Sequence, residues 1–128
     1  MMLETIDIEG ALQAALAADG MSASAPPIPA TLGATLPHYH VERVGGWQEN
    51  PVQDMHEVAV HTYAADDYDA MTAANALTGW LRRHMGDELD GHQVYGVNVV
   101  TLPYANGDPL HQSLARATMR VQILTRTA

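Results

Sequence analysis

Residues 114–125 read Leu-Ala-Arg-Ala-Thr-Met-Arg-Val-Gln-Ile-Leu-Thr. Ala117, Met119, Val121 and Ile123 fall on one side of a two-residue period, and Arg116, Arg120 and Gln122 on the other, which is the pattern of a strand with one buried face. The preceding sequence supplies partners. From Pro37, Tyr39 and Val41 alternate with His38, His40 and Glu42, and Gly45-Gly46 is expected to close that strand. Residues 47–54, with Asn50-Pro51 inside, read as a long hairpin loop. Met55 to Tyr63 then returns antiparallel, with Val58 and Val60 on one face and Glu57 and His61 on the other. Gln93 to Leu102 is a Val-rich strand joined to the last one by a Pro/Gly/Asn loop.

Between these pairs lies the clearest helix. Asp66 can cap it, Asp67 and Asp69 suit its positive N-terminal end, and Met71, Ala74, Leu77, Leu81 and Met85 form the expected buried stripe. Arg82, Arg83 and His84 fall in its last turns and Gly86 stops it. A second helix is expected over Leu3 to Asp19, where Leu3, Ile6, Leu12, Ala15 and Leu16 recur three or four apart before Gly20. The order helix, two strands, helix, two strands predicts an α+β fold, a mainly antiparallel four-stranded sheet packed by helices. The chain divides into an N-terminal helix (1–20), a Pro/Ala-rich arm (21–36) and an α+β core (37–128), all one domain. Such a sheet is open, so its two edges need burial by a partner, the arm or loops.

Composition removes much chemistry. The 128 residues carry a formal charge of -9, no Cys, no Lys and no Phe, and the six basic residues are all arginines. Without cysteine there is no disulfide framework, thiolate nucleophile or cysteine-rich zinc site. Without lysine there is no Schiff base and no Walker-type phosphate loop. The acidic balance opposes a monomer that coats nucleic acid. No run approaches 18 apolar residues, so no membrane span is expected, and the start Met1-Met2-Leu3-Glu4 lacks the basic region of a signal peptide. One domain of this size buries about two-thirds of its surface on folding, enough for a core of aliphatic residues.

The seven histidines raise a metal site. His38, His40 and Glu42 would project from one strand face, but alternate residues lie about 7 Å apart there and do not converge as zinc requires. His56-Glu57 with His61 has i+5 spacing in a strand, which puts the two histidines on opposite faces. No metal or cofactor is therefore expected. Ser22 and Ser24 lie in the arm, and Ser113 could meet His111 and Asp108 only as loop neighbours, so no catalytic residue is assigned. Asp66, Asp67 and Asp69 are explained by capping and the helix dipole. Arg116 and Arg120, joined further along by Arg126, share a strand face. They serve either a solvated face paired with acids such as Glu57, or contact with an acidic neighbouring subunit or DNA phosphate. Trp47 either folds back on its own domain or anchors a partner. These four are the candidate interface residues.

Taken in order, these pieces resemble the tail terminator (tail completion) proteins of long-tailed, siphovirus-type phages of actinobacteria. The matching strings are Leu36-Pro37, Val41-Glu42-Arg43-Val44-Gly45-Gly46, Val58-Ala59-Val60 and Tyr63-Ala64-Ala65-Asp66, then an alanine-rich helix ending near Leu81, a Val-rich strand and the Arg-alternating strand. They cover roughly residues 30–126. The resemblance implies a non-enzymatic virion protein at the head-proximal end of the tail, present in the host cytoplasm during assembly. It implies a hexameric ring of identical copies that caps the tube, ends polymerisation of the tail tube protein and meets the head-tail connector, with DNA passing through without specific binding. Three other readings stand beside it: another neck protein; a small enzyme using His61 with Glu57 or a cross-strand acid; and a binding module anchored by Trp47 and Tyr104.

Overall fold

The computed structural model describes residues 3–128. Its elements are α1 (Ile8–Ala18), β1 (Ser22–Ser24), β2 (His38–Asn50), β3 (Gln53–Ala64), α2 (Asp67–Arg83), β4 (Glu88–Leu89), β5 (His92–Ala105) and β6 (Ala115–Arg126). The strands join in the order β1-β2-β3-β6-β5-β4. The expected four-stranded antiparallel sheet in the order α-β-β-α-β-β is thus corrected to a six-stranded, mixed sheet curled into a half-barrel. Two short strands make the difference. β1 pairs parallel with β2, Ser22 opposite His38 and Ser24 opposite His40, and β4 adds two residues beside β5. Strands of three and two residues are too short to show a period, and a parallel pair needs a long crossover, which residues 25–37 supply.

The β2–β3 hairpin is also tighter than expected. β2 runs on to Asn50 and the turn is only Pro51-Val52, held by the Asn50 side chain, which donates to Gln53 and accepts from the Val52 amide. Gly45-Gly46 does not end β2 but forms a bulge within it, where the register slips between Arg43 and Gly45. Gly46 has φ of 142°, and a Cβ there would run into the Met55 carbonyl, so no other residue fits.

Each helix starts on an aspartate. Asp7 Oδ1 accepts from the Gly10 amide and Asp66 Oδ1 from the Asp69 amide. The first cap explains why α1 begins at Ile8 rather than Leu3. The buried stripe of α2 is Ala70, Ala73, Ala74, Leu77, Trp80 and Leu81, while Met85 lies beyond the helix and is exposed. Ala70 and Ala74 meet Ala64 and Ala117 of the sheet, small residues that let helix and strands approach closely. Ile8, Leu12 and Leu16 of α1 join Val41, Val58, Val60, Met119, Val121 and Ile123 in the main core. Each large aliphatic side chain buried there contributes about 1.5–3 kcal/mol. The sheet curls around both helices, so that α1 touches β1 and β2 at one edge and β4 at the other. Among the described residues no helix is long and apolar enough to cross a membrane.

Candidate assembly surface

The helices occupy the inner face of the sheet. On the outer face the pairing aligns side chains in rows across β2, β3, β6 and β5: Trp47–Met55–Leu124–Gly96, then Glu42–Ala59–Arg120–Thr101, then His40–His61–Thr118–Tyr104. The three arginines of β6 share this face but have separate surroundings. Arg116 is turned inward onto the 106–114 loop: its Nε donates to the Asn106 carbonyl at 2.6 Å and its guanidinium lies 3.7 Å from Asp108. Arg120 and Arg126 are exposed and form no ion pair among the described residues.

Around Arg116 stands a compact polar clamp. The Tyr63 hydroxyl donates to Asp108 Oδ2 at 2.8 Å, and His111 Nδ1 approaches the same oxygen at 2.8 Å. Burial would raise the Asp108 pKa, but hydrogen bonds from His111, the Leu110 amide and Tyr63, with the Arg116 charge, outweigh it and hold the carboxyl at about 2. Asp108 and His111 therefore do meet, while Ser113 is exposed and bonds to neither, so the loop holds no nucleophile–base pair. His61 lies beside Thr118 Oγ1 at 2.9 Å and Glu42 at 3.8 Å; Glu57 instead accepts from Gln122. The acid facing His61 is thus the cross-strand Glu42.

His38 and His40 are buried, and each is held by serine. Ser22 Oγ lies 2.6 Å from His38 Nδ1, and Ser24 Oγ lies 2.8 Å from His38 Nε2 and 2.7 Å from His40 Nδ1. Burial lowers the pKa of both rings. For His38 the charge of His40 lowers it further, whereas Glu42 and Glu9 partly offset the shift of His40. From the sequence alone both serines are expected in the Pro/Ala-rich arm. The signal was present as matched spacing, Ser22/Ser24 against His38/His40, but it says nothing about which segments pair. His56, on the inner face, has its Nε2 2.9 Å from Thr125 Oγ1 and its Nδ1 without a partner among the described residues. Burial first, then the Arg43 charge, against the opposing pull of Asp54, lowers its pKa to about 4.

Trp47 is 46 % exposed and lies on β2, one row from the turn, its indole N–H donating to Glu49 at 2.8 Å. Tyr104 is equally exposed but stands near the other end of the sheet, so the two aromatics do not form one site. Beside Trp47 is a cleft of about 330 Å³ lined by Leu3, Thr5, Arg43, Asp54 and Thr127.

The two edges of the sheet differ. The outer edge of β2 is covered by β1 at residues 38–40, and the Arg43 amide beyond it donates to Glu9 of α1 at 2.8 Å. The outer edge of β5 pairs with β4 only at His92 and Gln93, and Val94 is bonded to Gly86 and Asp87. From Tyr95 to Ala105 no further strand adjoins it among the described residues, no residue is charged, and Val100 and Leu102 are 54 % and 64 % exposed. Leu110, on the loop that follows, is exposed as well. A long, uncharged and apolar edge is a template for pairing with another chain. Comparison with known protein-family models and with curated proteins finds no match for this chain.

Proposed function

We propose that the protein is a self-assembling structural subunit, the tail terminator of a long-tailed phage, and that its copies close into a hexameric ring through their sheet edges. The observation that carries this reading is the outer edge of β5, eleven residues without a neighbouring strand or a charge and with Val100, Leu102 and Tyr104 exposed. Topology supports a head-to-tail contact. β5 and β2 run in opposite directions, so a copy rotated about an axis along the strands sets the part of its β2 beyond the β1 cap and Arg43 antiparallel against β5 and continues the alternation of the sheet. A repeated contact of this kind generates a ring when the rotation closes. The likeness of residues 30–126 to tail terminators supplies the rest. The ring sits at the head-proximal end of the tail, stops growth of the tube protein, meets the connector and lets DNA slide past a surface with few cations, performing no catalysis. To test this, tube protein is polymerised with and without the chain and viewed by negative-stain electron microscopy. Rings capping one end of shortened tubes are expected. Unchanged tube lengths with no ring would overturn the reading.

A further inference from the structure

We propose that β1 is a proton-releasable cap: protonation of the Ser22–His38–Ser24–His40 chain detaches Ser22–Ser24 from the outer edge of β2. β1 has only three paired residues, and besides the packing of Ala23 and Ala25 against the core it is held by the serine contacts with His38 and His40.

Hydrogen counting gives the mechanism. The chain has three contacts and needs one hydrogen in each. With both rings neutral, Ser22 donates to His38 Nδ1, His38 Nε2–H donates to Ser24, and Ser24 donates to His40 Nδ1; the reverse order serves equally. One added proton is also accommodated. If His38 carries it, both of its N–H groups donate to serines and Ser24 still donates to His40. A second proton breaks the pattern. Nε2–H of His38 and Nδ1–H of His40 then both point at Ser24 Oγ, two cations flank one buried oxygen, and the serine hydrogen has no acceptor left in the chain.

The surroundings resist even the first proton through burial and assist it through acids. Glu9 of α1 and Glu42 of β2 favour charge on His40; His61 of β3 lies stacked 6.5 Å from His40, with Arg116 of β6 and Asp108 of the loop beyond it. Both rings titrate below their ordinary value, so the cap holds at neutral pH and loosens as pH falls below about 6.5. At pH 5 the His56 ring, with its pKa of about 4, is still mostly neutral in the folded chain, so its contact with Thr125 between β3 and β6 persists while β1 lets go, although part of its contribution to global stability is already lost. Releasing β1 bares the β2 edge from His38 onward. That this edge then receives β5 of the next copy rests on the ring reading above; the release itself does not.

The test is amide hydrogen exchange on the unassembled full chain at pH 7.5 and pH 5, corrected for intrinsic rates, together with NMR titration of the histidine rings. Protection of the β1 amides that face β2 is expected to fall roughly tenfold or more beyond any loss at Val58 and Val121, which decline only with the global stability of the chain. The loss should track the His38 and His40 titrations. His38→Gln with His40→Asn keeps a donor and an acceptor at each place without a titrating ring, and should abolish the response. Ser24→Ala should leave β1 poorly protected at both pH values. Unchanged β1 protection at pH 5, loss no greater than that at Val58 and Val121, or loss at a pH unrelated to the two rings would each overturn the proposal. Because the free chain is read, none of these outcomes bears on whether rings form.

Discussion

The β2 and β5 edges solve opposite problems. β2 is shut by a short parallel strand, a glutamate from α1 on its Arg43 amide, a glycine bulge, and the charges of Glu42, Arg43 and Glu49. Such devices keep an edge from pairing at random. Past Val94, β5 is interrupted by register shifts against β6 between Val99 and Thr101 and between Thr101 and Tyr104 and by Pro103, which removes one donor, but among the described residues it has no covering strand and no charge, and it exposes apolar side chains where charges would protect it. A chain that guarded neither edge would polymerise freely, and one that guarded both would stay single. On the proposed function, guarding one edge would let a copy wait until its neighbour arrives.

The contrast can be broken most sharply by giving β5 the protection it lacks. Val100→Lys with Leu102→Lys is expected to weaken self-association about 100-fold or more, close to 3 kcal/mol, with melting behaviour of the single chain little changed, as sedimentation velocity and circular dichroism would record. The same pair of charges placed on β2, at Val44 and Gln48, should do less.

Acid acts on the guarded side, because the buried histidines lie on β2 and β3. His56 is held below its ordinary pKa, so the folded chain binds fewer protons than the unfolded one between pH 6.5 and about 4. Its contribution is complete above pH 6.5 and is lost as pH falls through that window, about 3 kcal/mol in all. Urea titrations at pH 7 and pH 4 should show that difference shrink in His56→Gln, which keeps a polar group for Thr125; an unchanged difference would place the acid sensitivity elsewhere.

The bulge that interrupts β2 is expected to be intolerant at one glycine only. Gly46→Ala meets the Met55 carbonyl at a positive φ and should cost about 2 kcal/mol or more, whereas Gly45→Ala meets only the Glu57 side chain at 3.8 Å and should cost well under about 1 kcal/mol. Smaller still are the arginines behind β5. Arg116→Met removes the clamp on the 106–114 loop and should lower stability by about 1–2 kcal/mol, while Arg120→Met stays within about 0.5 kcal/mol because no partner among the described residues is lost. Equal effects would mean that the two side chains share a role.

The long elements were legible in the amino-acid sequence because burial imposes a period on them. Met119, Val121 and Ile123 mark β6, and Asp66 with Leu77 and Leu81 marks α2. Short elements were not. Ser22–Ser24 and Glu88–Leu89 are strands only because a neighbour offers backbone groups, and nothing in three or two residues records that. Gly45-Gly46 misled for a related reason, since glycine marks a bulge as readily as a strand end. Of the candidate site residues, Trp47 and Arg120 are exposed on the outer face, but Arg116 is taken up by Asn106 and Asp108, contacts that depend on how an irregular loop folds. Tyr63 and the serine–histidine chain went unseen because each joins segments distant in sequence.

On the proposed function, copies join along β5. Amide hydrogen exchange of assembled against unassembled protein reads this directly, strand by strand. Strong new protection confined to residues 95–105 and the edge it meets is predicted in particles of six times 13.8 kDa. Assembled particles in which those amides exchange as fast as in the single chain, with protection gained elsewhere, would contradict it.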